Sequence, residues 1–91
     1  MAADSFQLEV ATPERLLVQE PVREAQIPAE AGMLGILPDH AALLSLLGTG
    51  QLSYTLASGG QNTIVISGGY LEILNNHVRV LADRAERANE V

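Results

Sequence analysis

His40 follows Pro38 and Asp39 in the stretch AEAGMLGILPDHAALLSLLGTG, residues 29 to 50. A histidine beside a carboxylate is the raw material of a general base. Base catalysis also needs a nucleophile or a second acid within reach, and the neighbouring residues supply none. Asp39 therefore reads as a turn-capping residue and His40 as a turn or interface histidine. His77 is far from His40 in sequence, and neither has a second histidine at a metal-binding interval. Ser67 precedes Gly68 and Gly69 but lacks the glycine two residues earlier that a nucleophile elbow requires. GTGQLS lacks the Gly-Lys-Ser/Thr ending of a phosphate loop. These patterns point to no catalytic residue, no cofactor and no metal ligand.

The same stretch carries a different signal. It holds Met33, Leu34, Ile36 and Leu37 between glycines, then Leu43, Leu44, Leu46 and Leu47. Connectors run over the surface and are usually polar. Read as a Gly-rich loop, residues 33 to 37 mark a partner surface rather than core.

Bulk composition narrows the partners. The chain has 91 residues, Lys+Arg 5 against Asp+Glu 11, a net charge of −6 and no cysteine. That length suits one domain with a modest core. An acidic surface repels phosphate backbones and anionic headgroups, so nucleic acid is excluded as a partner. The start, MAADSFQLEV, has neither the basic nor the apolar region of a signal peptide. The run AALLSLLG is too short to cross a bilayer, so no direct membrane insertion is expected.

Period-two alternation dominates the rest. Phe6, Leu8 and Val10 share a face, as do Leu52, Tyr54 and Leu56, Ile64 and Ile66, Leu71 and Ile73, and Val78, Val80 and Ala82. Ala25 and Ile27 pair between Pro21 and Pro28, which read as strand ends. TPE, ASGGQN, SGG and NNH supply turn chemistry, with Gly68-Gly69 as a tight hairpin or a bulge. Short strands at close spacing predict an all-β antiparallel sandwich or barrel. HAALLSLLG is equally a two-turn helix or a strand. In DRAERANEV, Asp83 and Glu86 form a capping-box-like pair at the start of a helix. So short a helix is marginal in water, and residues 84 to 91 are expected to be frayed or one to two turns long.

FQLEVATPERLL, GMLGILPDHAALL, SGGYLEI and VRVLADRAE occur in one order across residues 5 to 88. Together they resemble the epsilon subunit of F-type ATP synthase, whose mitochondrial counterpart is called delta. The family pattern resembles Gly-x-x-Gly-x-Leu-Pro-x-His-Ala-Pro-Leu-Leu. Gly32, Leu34, Gly35, Ile36, Leu37, Pro38, His40, Ala41, Leu43 and Leu44 fit it. Met33 replaces a commonly acidic residue, which favours an apolar contact there, and Ala42 replaces a common proline.

The resemblance implies a β-sandwich of about ten short strands over residues 1–83. It also implies that residues 84–91 begin a C-terminal helical region whose inhibitory, sometimes ATP-binding, hairpin is expected to be absent. The implied role is a non-catalytic rotor subunit of a proton- or sodium-translocating synthase. It would be a peripheral component at the cytoplasmic face of a bacterial inner membrane, one copy per complex, coupling the gamma subunit to the c-ring. Carried over by residue, Gly32, Met33 and Leu34 would contact the c-ring, and Thr12, His40, Ala42 and Ser45 would contact gamma. Without the resemblance, the apolar loop would suit a free-standing β-sandwich module for a small ligand or peptide. Phe6, Tyr54 and Tyr70 are its only aromatics, too few for a stacking carbohydrate site.

Overall fold

A computed structural model of the chain describes residues 4–88. Seven strands follow one another: β1 Phe6–Ala11, β2 Leu16–Ala29, β3 Gly32–Ile36, β4 Leu43–Leu46, β5 Thr49–Leu56, β6 Gln61–Leu74 and β7 His77–Arg87. The all-β expectation holds, with seven strands in place of about ten. The difference lies in β2 and β6, each 14 residues long. β2 pairs with β1 through its first half and with β5 and β3 through its second. β6 pairs with β5, then β4, and with β7 along most of its length.

The order β1-β7-β6-β5-β2-β3, together with a β1–β2 pairing, closes the sheet on itself. The architecture is a flattened barrel: one layer holds β3, β5 and the adjoining parts of β2, β6 and β7, and the other holds β4, β1 and the remaining parts of those three strands. Closure removes the edges from its central strands. One pairing departs from the antiparallel rule, because β1 and β7 run parallel, Gln7 beside His77 through Ala11 beside Leu81.

The alternating residues form the core. Leu8, Val10, Val22, Ile27, Leu52, Ile64, Leu71 and Val80 are fully buried, as are Ile66, Tyr54 and Val78 to within 1%. Pro21 lies in the middle of β2 and not at an end, whereas Pro28 is its penultimate residue, as a strand-end proline should be. The Pro21 carbonyl accepts from Ala57 and the Pro28 carbonyl from Gly48, so each proline's missing N–H lies on the side away from β1 and β3 respectively. Proline is tolerated where the ladder does not need its donor.

Three expectations are corrected. Residues 32 to 36 form strand β3 and not a loop, because Leu34 and Ile36 turn inward while Met33 and Gly35 face out. Gly68 and Gly69 lie within β6 at the point where it passes from one layer to the other, and make neither a hairpin nor a register-shifting bulge. The helical start at 84 is a strand: β7 continues through the expected boundary at 83, pairing Arg84 with Ser67, Ala85 with Ile66 and Arg87 with Ile64. Ala85 is buried against the core, and the Arg87 guanidinium reaches the Leu17 carbonyl and the Tyr54 hydroxyl. A β-ladder with a buried residue outcompetes a helix too short to support itself. Residues 89–91 of that expectation lie outside the described residues. The outcome is measurable: alternate amides of Arg84–Arg87 should exchange slowly, like those of Val78–Ala82, and rapid exchange at all four would contradict the strand.

Candidate functional site

The sequence-selected residues divide between the two layers. Gly32, Met33 and Leu34 lie on β3, opposite Ala29, Pro28 and Ile27 of β2. Among the described residues, β3 pairs only with β2, which leaves its other edge open to them. Because the Pro28 backbone faces Gly48, the opposing Met33 backbone faces that open edge. The Met33 side chain is 57% exposed, whereas Leu34 is half-buried against the core. Of the three, Met33 offers side-chain surface, Gly32 offers backbone, and Leu34 chiefly anchors the strand.

Thr12, His40, Ala42 and Ser45 do not converge on one point. Thr12 opens the β1–β2 turn: its hydroxyl accepts from Glu14 and Arg15, and its own N–H donates to the Arg15 carbonyl. His40 lies in the crossover between β3 and β4, with Nδ1 donating to the Ala41 carbonyl at 2.7 Å. That crossover touches the β6–β7 turn, which joins the start of β1 through the Gln7 N–H and the Asn76 carbonyl. Thr12 follows the other end of β1 and is thus about 17 Å from that turn. Ala42 is exposed just before β4, and Ser45 on β4 is half-buried.

Thr12, His40 and Ala42 border the outer face of β4, β6, β7 and β1, whereas Ser45, paired with the buried Leu71, has the inward phase of β4. That outer face contains residues sequence reasoning missed. Leu46 is paired with Tyr70, Tyr70 with Leu81, and Leu81 with Ala11, giving an apolar row across four strands. Tyr70 is 58% exposed, and Leu46 and Leu81 are also exposed. The next row begins with the exposed Leu44 and is otherwise charged: Glu72, Arg79 and Glu9. Glu9 lies 3.4 Å from His77 Nε2 and 3.6 Å from Arg79 Nε, while Arg79 stands 4.0 Å from Glu72. Such partly exposed pairs add little stability. They do give the apolar row a polar border, as interfaces have.

The opposite outer face is polar. Its paired rows read Gln26, Ser53 and Thr63, then Thr49, Ser67 and Arg84. A concavity of about 340 Å³ lies at the Thr12 end, lined by Thr12, Glu14, Arg15, Asp83, Arg84, Ala85 and Glu86. It mixes two guanidiniums with three carboxylates and has no aromatic wall, unlike a typical small-ligand pocket. Among the described residues, no three acidic or histidine side chains cluster as metal ligands, and no helix is long and apolar enough to cross a membrane.

Residues 5–88 match the family model of the ATP synthase delta/epsilon chain, β-sandwich domain. The chain belongs to that family. It is 58% identical over 88 residues to the ATP synthase epsilon chain of Solibacter usitatus, covering 97% of this chain and 65% of that protein. It is 42% identical over 89 residues to the epsilon chain of Koribacter versatilis, covering 98% of this chain and 62% of that protein. The chain thus spans a little under two-thirds of these curated relatives. Among solved structures, a chain of the Euglena gracilis mitochondrial ATP synthase assembly with its c-ring superposes with a TM-score of 0.90 at 25% identity, over 100% of this chain and 58% of that chain. A chain of the Tetrahymena thermophila mitochondrial ATP synthase central stalk and c-ring shares the fold, with a TM-score of 0.77 at 17% identity over 92% of this chain and 67% of that chain. In a member of the epsilon β-sandwich family, Met33 and the Tyr70 row, together with Leu37 after β3 and Leu44 on β4, are among the exposed apolar features whose partners need explaining.

Proposed function

We infer that the chain is a non-catalytic coupling element of the rotor in an ATP synthase, held between the gamma subunit and the c-ring. The observation that carries this reading is the family match across residues 5–88. The close superposition on a chain from an assembly containing the c-ring supports it. Two separate apolar surfaces on one small barrel also suit a part that grips two neighbours. The open β3 edge with Met33 is assigned to the c-ring, and the face bearing Leu46, Tyr70 and Leu81, with Thr12, His40 and Ala42 around it and Ser45 on β4, to gamma.

Coupling by such a part needs stiffness and firm attachment rather than chemistry. A close-packed interior deforms little, so a barrel closed through β1 and β2 can carry load from one surface to the other. The complex would sit at the cytoplasmic face of a bacterial inner membrane and move protons or sodium ions.

The test is association of the purified chain with a gamma–c-ring complex. Micromolar or tighter binding is expected, and no binding at that concentration would refute the assignment. Met33→Lys is expected to weaken attachment about tenfold or more, because a desolvated contact would receive an unpaired charge. The circular dichroism spectrum and thermal midpoint should stay as in the parent, since Met33 lies outside the core. If the variant unfolds, Met33 is a core residue and the c-ring assignment loses its basis.

A further inference from the structure

The described non-glycine residues with positive φ are Asp39 at 67°, Asn75 at 50° and Asn76 at 59°. Asn75 and Asn76 are explained locally. They form the two-residue connection between β6 and β7, where Leu74 pairs with His77, and a type I′ hairpin turn needs positive φ at both positions. Glycine would serve at the second position of such a turn without a side chain. Asn76 has one, and the turn does not use it.

The Asn76 side chain reaches Asp39 in the crossover between β3 and β4. Its Oδ1 accepts from the Asp39 N–H at 2.6 Å, and its Nδ2 donates to Asp39 Oδ1 at 2.8 Å. The Asn76 carbonyl meanwhile accepts from Gln7, at the start of β1. Asp39, at φ 67°, offers both its N–H and its carboxylate to this amide. Two residues 37 apart in sequence therefore hold otherwise disfavoured conformations and meet through reciprocal hydrogen bonds, one of them to a charged acceptor.

We propose that Asp39 and Asn76 form a clasp that sets the orientation of the Leu37–Ala42 crossover, making them positioning residues for partner binding. The crossover joins the open β3 edge to β4 and carries Leu37, which is 61% exposed, together with His40 and Ala42. Within the crossover, the His40 N–H donates to the Leu37 carbonyl at 3.2 Å. With the clasp removed the segment would be freer to change orientation, and each binding event would have to order it. The clasp ties it to a turn already fixed to β1. What the crossover faces rests on the rotor reading above, but the clasp itself does not.

Glycine variants separate side chain from backbone, because glycine keeps positive φ without strain. Asn76→Gly is expected to speed amide exchange at Asp39 about tenfold or more while leaving Val78 and Val80 unchanged. It should also weaken association with a gamma–c-ring complex by about tenfold at an unchanged thermal midpoint. Asn76→Asp places a second carboxylate against Asp39 and should loosen the crossover similarly. Adding Asp39→Asn to Asn76→Asp restores a donor–acceptor pair in the reversed sense and should recover both readouts. A general structural role would not give that reciprocal rescue. Unchanged Asp39 exchange in Asn76→Gly would overturn the clasp, as would a double variant no better than Asn76→Asp alone. Faster exchange with unchanged association would overturn the positioning role. Failure of the parent chain itself to associate would sink the rotor reading instead, with the exchange data still deciding the clasp.

Discussion

Gly69→Ala is expected to be the most damaging single-methyl change in the barrel. A Cβ on Gly69 would lie 2.0 Å from the Leu81 carbonyl oxygen and 2.8 Å from the Ala82 Cα, and the backbone there has φ +112°. Neither obstacle can give way cheaply. Leu81 pairs with Tyr70 on one side and with Ala11 on the other, so moving it breaks two ladders. The Gly69 carbonyl also accepts from Leu47 after β4. A loss of about 4 kcal/mol is expected from combined backbone strain and disrupted pairing. Against a total of roughly 5–14 kcal/mol for a chain of this size, much or all of the folded population would be lost. Gly68→Ala is the informative comparison. Its Cβ would meet Asp83 Oδ2 at 2.6 Å, the far end of an exposed side chain that can swing aside. It should cost about 1–2 kcal/mol, chiefly from left-handed strain. Urea denaturation of both variants provides the measurement. A Gly69→Ala midpoint equal to the parent's would show that β7 yields at Leu81 and that the crossing point is not rigid.

The same crossing point explains what the sequence could and could not disclose. Alternation was legible wherever a strand keeps one layer: Phe6, Leu8 and Val10 in β1 all turned inward as their spacing implied. It failed where a strand changes layer. In β7 the inward phase runs through Val78, Val80 and Ala82, then shifts to Ala85 opposite the part of β6 just before Gly68. With the alternation broken and alanines on either side, helical spacing was the simpler reading of DRAER. β2 breaks its phase in the same way, between Val22 and Glu24, where its register shifts. Neither break has a local signature, because each is set by which strands lie across it. In β3, the two glycines suggested a loop, although Met33 and Ile36 already carried the outward and inward phases. The clasp was half legible: Pro-Asp and Asn-Asn announced turns, but their contact across 37 residues belongs to topology. The apolar face had a usable signal. Tyr70 and Leu81 occupy outward phases, flanked by the inward Leu71, Val80 and Ala82, and an aromatic or leucine at such a position marks a surface awaiting a partner.

That surface yields the largest functional effect expected. Tyr70→Asp should weaken association with the gamma subunit about 30-fold or more and leave folding nearly unchanged. Tyr70 occupies the centre of the row formed by Leu46, Leu81 and Ala11, the position where interface energy concentrates. A carboxylate there would be desolvated without a counterion on its own row; Arg79, in the next row, already faces Glu9 and Glu72. Because Tyr70 is 58% exposed in the isolated barrel, the substitution opens no core cavity, and a stability change within about 1 kcal/mol is expected. Val65→Asp provides the matched control: it adds the same charge to an exposed position on β6 in the polar layer. Gamma binding by that variant should match the parent. Equal weakening by both variants would mean that added negative charge acts through long-range repulsion, and raising the salt concentration would then restore both. Selective weakening by Val65→Asp would place gamma on the opposite face. Loss confined to Tyr70→Asp, and persisting at high salt, is the pattern that a desolvated contact at this row requires.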